Sequence, residues 1–80
     1  MEASAESIQK RLKEGKAEVS RLEKQSREWR RQAQESSGQM KLDLEKTASE
    51  IDARIIDLRV ELARWRFKLE KALQRRGAYN

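Results

Sequence analysis

From Leu44 to Leu73 an apolar residue returns every three or four positions: Leu44, Ala48, Ile51, Ile55, Leu58, Leu62, Trp65, Leu69 and Leu73. That is the rhythm of one face of an α-helix; a strand, with its period of two, cannot hold all nine on a common side. A second set, Ile56, Val60, Ala63 and Phe67, recurs at the same spacing on roughly the opposite side. A helix that is apolar on two sides is expected to be touched on two sides.

The first half carries a thinner stripe of Ile8, Leu12, Val19, Leu22, Trp29 and Ala33. Gly15 and Ser26 fill its gaps as weak members. The rest of that half is mostly Lys, Arg, Glu and Gln, with Glu23 and Arg27, and Lys24 and Glu28, set four apart. Such pairs add about 0.2–0.5 kcal/mol each, so they assist a helix without creating a fold. Proline is absent and glycine occurs only three times, which leaves no internal helix breaker beyond Gly15 and Gly38.

The segment Glu35-Ser36-Ser37-Gly38-Gln39 decides how the halves are joined. Gly38 can end a first helix in the left-handed conformation, and Ser36 with Gln39 has the form of a capping box for a second. Two arms of nearly equal length, each about 50 Å, would then form a hairpin. The competing arrangement is one rod of about 110 Å. Positions 33, 37, 40, 44, 48, 51 and 55 carry a seam through the junction as two eleven-residue repeats, with Ser37 its weak member. The expected fold class is therefore all-α, with long amphipathic helices in a helical hairpin or a continuous coiled-coil rod, assembling into an oligomeric bundle. The chain reads as a single unit over 1–80, with helices at 5–36 and 39–76 and a turn at 36–38. The ends, Met1–Glu6 and Gly77–Asn80, are expected to fray, with Gly77 as a helix stop.

Hydrophobic residues make up 36% of the chain and charged residues 41%, too thin a supply for a three-layer domain of 80 residues. The missing contacts are expected from a second copy or another helical protein. Cysteine and histidine are both absent, which removes the usual nucleophiles, bases and zinc ligands. The carboxylate pairs Asp52 with Asp57 and Glu45 with Glu50 are five apart, about 140° around a helix, and so do not converge. No phosphate-binding loop or metal-binding acidic loop occurs. Catalysis, cofactors and metals are accordingly not expected. The acidic start and the absence of an eighteen-residue apolar run point to an intracellular, cytoplasmic protein with no transmembrane span. Peripheral membrane contact is not expected either, because Trp65 and Phe67 lie on opposite sides of the helix and Asp52, Asp57 and Glu61 interrupt the surface.

Two functions fit these residues. One is a non-catalytic structural or adaptor protein that oligomerises or binds a helical partner through Leu44, Ile51, Ile55, Leu58, Leu62, Trp65 and Leu69 on the long stripe, Ile56, Val60 and Phe67 on the second face, and Trp29. The other is a nucleic-acid or polyanion-binding accessory protein. Its support is the interval holding Arg64, Arg66, Lys68, Lys71, Arg75 and Arg76 against Glu70 alone, within a net charge of +5. The run from Ile51 to Ala63 resembles segments of coiled-coil stalks, which implies helix pairing and no residue-specific role.

Overall fold

The computed structural model describes residues 4–77, with side chains through Arg75. Helix α1 runs Ala5–Gln34 and helix α2 runs Gly38–Gly77, and the two pack along their length as an antiparallel hairpin. No strand is present among the described residues. The molecule measures 63 × 17 × 14 Å, so the continuous rod does not form. Folding back lets each apolar stripe meet the other within one chain, whereas a rod would leave both to find partners from separate molecules.

Local chemistry makes the reversal possible. Gly38 adopts φ +63°, a conformation that side chains with a Cβ rarely enter. The last carbonyls of α1 are covered from the turn. Glu35 N–H donates to the Arg31 and Gln32 carbonyls, Ser36 N–H donates to Ala33, and the Ser36 hydroxyl donates to the Gln32 carbonyl at 2.8 Å. Ser36 thus closes the end of α1 and takes no part in a capping box for α2; Gln39 instead donates to Asp43 at 2.9 Å. At the other end Ser4 caps α1, its hydroxyl accepting from Ser7 N–H at 3.1 Å. Ser4–Glu6 are therefore ordered by a cap, while the expected fraying of Met1–Ala3 and Ala78–Asn80 lies outside the described residues.

The core is a single layer between the two helices. Ile8, Leu12, Val19 and Leu22 of α1 pack with Ile55 and Leu62 of α2, and Ile51, Leu58, Trp65, Leu69 and Ala72 close over them half-buried. Ala33 and Ala48 are buried nearer the turn. Gly15, a weak member of the first stripe, belongs to it for a steric reason. A Cβ built on Gly15 would stand 2.3 Å from Leu62 Cδ2, so the glycine forms the hole that receives the leucine. Leu73, the last residue of the long stripe, is exposed. Antiparallel pairing sets it beside the start of α1, where Ser4 and Ala5 are the first described residues.

Candidate interaction surface

Helix pairing leaves polar residues along both margins of the seam, and four cross-helix polar contacts fix its register. The Ser26 hydroxyl, itself buried, donates to Asp52 Oδ1 at 2.6 Å, and Arg30 donates to the other oxygen of the same carboxylate. Arg59 pairs with Glu23 at 3.0 Å, and Arg11 pairs with Glu61 at 3.0 Å. The Ser26 hydrogen bond first, and then the Arg30 guanidinium, hold the Asp52 carboxyl below the usual aspartate range. Within α1, Arg21 lowers Glu18, and Arg31 with Gln32 lowers Glu28. The structure therefore pairs Glu23 across the seam and Glu28 with Arg31; the four-apart pairs read from the sequence, Glu23 with Arg27 and Lys24 with Glu28, are not the ones formed. A carboxylate that can reach a cation on the facing helix gains one more tertiary contact than a local pair supplies.

The long stripe turns inward. Ile55 and Leu62 are buried, Ile51, Leu58, Trp65 and Leu69 are half-buried against the core, and Leu44 is half-buried nearer the turn. These residues, assigned from the sequence to contacts between chains, form the seam inside one chain. Trp29 is half-buried on α1. Trp65 carries two cations on its ring, Arg11 of α1 at 5.0 Å and Lys68 of its own helix at 4.5 Å, and the Arg11 contact ties the first half of α1 to α2.

The second face of α2 turns outward and is largely exposed. Ile56 is 61% exposed, Val60 48% and Phe67 57%. Leu42, which sequence reading passed over, is exposed fourteen residues before Ile56, four helical turns along and close to the same meridian. Its signal was the isolated apolar residue beside Asp43 and Lys41, which matched neither stripe when each was read alone. Between these large residues lie Ser49, Ala53 and Ala63, small and exposed. The outward side of α1 offers no counterpart, since every exposed large hydrophobic side chain among the described residues belongs to α2.

Arg64, Lys68, Lys71 and Arg75 stand at i, i+4, i+7 and i+11 along one exposed edge of α2. Lys71 lies over the Phe67 ring at 4.8 Å, so its stem covers part of the apolar row. Arg66 is exposed on the other edge. The Arg76 side chain lies outside the described residues.

Among the described residues no group of three metal-ligating side chains converges, and no helix is long and apolar enough to cross a membrane. The concavities are open grooves along the helix margins. One runs beside Glu23, Ser26, Asp52, Ile56 and Arg59, directly flanking the outward row. Comparison of the chain with protein-family models, curated proteins and solved structures finds no match.

Proposed function

We propose that the chain is a non-catalytic assembly module: a helical hairpin that joins protein to protein through the outward apolar face of α2. The observation that carries this reading is the row of Ile56, Val60 and Phe67, each about half exposed or more while the inner faces of both helices are already satisfied. Rows of this kind mark interaction sites, because a monomer gains nothing by presenting them to water. Shape points the same way. The accessible surface is 6523 Å², against about 5,000 Å² for a compact monomer of this mass. The radius of gyration is 18.2 Å, where about 12 Å is usual for this length.

The test is a double substitution, Val60→Gln with Phe67→Lys, read by light scattering and by pull-down while circular dichroism follows helicity. Helicity should persist, because neither residue belongs to the buried cluster, and assembly mass or capture of a partner should fall. Unchanged mass together with unchanged capture removes the reading.

A second reading, polyanion binding, is favoured by the Arg64, Lys68, Lys71 and Arg75 edge. It expects oligonucleotide binding at low salt that collapses steeply as salt rises. Binding that is absent at low salt removes it.

A further inference from the structure

The outward row of α2 has charged edges, and their order along the helix is not random. One edge, at seven-residue spacing, reads Glu50, Asp57, Arg64, Lys71. The other, at the same spacing, reads Glu45, Asp52, Arg59, Arg66. On both edges two acids are followed by two bases. Between the edges the row itself reads Ser49, Ala53, Ile56, Val60, Ala63, Phe67, alternating three and four apart as a coiled-coil seam does. All six row residues are exposed in the hairpin.

From this pattern we propose that the occupant of the face is a second copy of the same chain, with its α2 packed antiparallel against the first about a two-fold axis between Asp57 and Arg64. The inference rests on the reading of α2's outer face as an assembly surface and names its partner. About that axis an antiparallel copy lays Asp57 beside Arg64 and Glu50 beside Lys71 of the second copy; the edge of Glu45, Asp52, Arg59 and Arg66 changes sign five residues earlier and is not complementary about the same axis. A parallel copy would set acid against acid and base against base along the whole contact, which is strongly disfavoured. Side-chain size agrees with the charge. The same axis brings Phe67, the largest member of the row, to the stretch of the second copy between Ile56 and Ala53, where Ala53 leaves room, and it does so twice by symmetry. Asp52 and Arg59 already bond to Arg30 and Glu23 of α1, so the edge of Glu50, Asp57, Arg64 and Lys71 carries most of the discrimination. The product is a four-helix bundle with the two α2 helices at its centre, each touched on both apolar faces, and the two polar α1 helices outside.

Sedimentation equilibrium of the full chain should give twice the 9.4 kDa chain mass at micromolar concentration. Glu50→Lys with Asp57→Lys should weaken self-association by at least about tenfold, as should Arg64→Glu with Lys71→Glu, and an equimolar mixture of the two variants should recover it. Direction is read separately. Because the chain has no cysteine, Ser49→Cys can carry a single spin label. Antiparallel copies place the two labels about 25–40 Å apart, and parallel copies about 10 Å. A chain that stays monomeric at a hundred times that concentration, or a label separation near the parallel value, overturns the inference. A monomer that still loses a captured protein on Val60→Gln with Phe67→Lys would sink the second copy alone and leave the assembly reading standing.

Discussion

Helices α1 and α2 use nearly the same residue vocabulary and finish in different situations. Helix α1 has one apolar stripe and the hairpin consumes it: Ile8, Leu12, Val19, Leu22 and Ala33 are all buried. Helix α2 spends one stripe on α1 and keeps a second, with Leu42, Ile56, Val60 and Phe67 exposed. The difference teaches that a helix's number of partners is set by how many of its sides are apolar, not by how apolar it is on average. A one-sided helix is complete once paired. A two-sided helix holds the end of one contact and the beginning of another.

The sharpest way to break this comparison is to strike the two faces of α2 separately. Leu62→Ala on the inner face should cost about 2–5 kcal/mol, because it removes a buried side chain and leaves a cavity beside Gly15. Val60→Ala, two residues away on the outer face, should stay within about 0.5 kcal/mol when unfolding is measured in dilute solution. Equal urea midpoints for the two variants would mean that the faces have been assigned the wrong way round. Next in size is Gly15→Val. Its Cβ meets Leu62, so overpacking should cost about 1–3 kcal/mol. That penalty should shrink in a Leu62→Ala background, and a thermodynamic cycle of the four chains would show the coupling.

Asp52→Ala probes the polar margin of the seam and should cost about 1 kcal/mol, since it strips the buried Ser26 hydroxyl of its acceptor and Arg30 of its counterion. The smallest effect is in acid. The Asp52 carboxyl is depressed in the folded hairpin, so its contribution is fully present above about pH 4, its unfolded range, and is lost as pH falls through the lower folded value. With the carboxylate partly open to solvent, that contribution stays below about 1 kcal/mol. Asp52→Asn should therefore flatten the difference in stability between pH 5 and pH 2, measured by urea unfolding at each pH. An unaltered difference would show that the carboxylate does not tie the helices together.

Helicity, the apolar stripe of each helix and the placement of Ile56, Val60 and Phe67 on the side of α2 away from its long stripe were legible in residue order, because helical period is a local property. Gly15 and Ser26 were legible only as gaps. That one is a socket for Leu62 and the other a buttress for Asp52 depends on residues forty-seven and twenty-six positions away in sequence. The same limit explains the salt bridges: spacing nominates partners on one helix, and proximity of the facing helix decides among them.

By itself, then, the order of residues determined that the chain is helical, which side of each helix is apolar, and that α2 has one apolar side more than α1. Only the tertiary structure decided that the chain reverses at Gly38 instead of running on as a rod, and that the long stripe is spent within the molecule while the second remains open. The reason is that an amphipathic pattern states what must be covered and not by what. Hairpin and rod satisfy the same periodicity, and the choice falls to the turn and to the closure of two stripes already held on one chain.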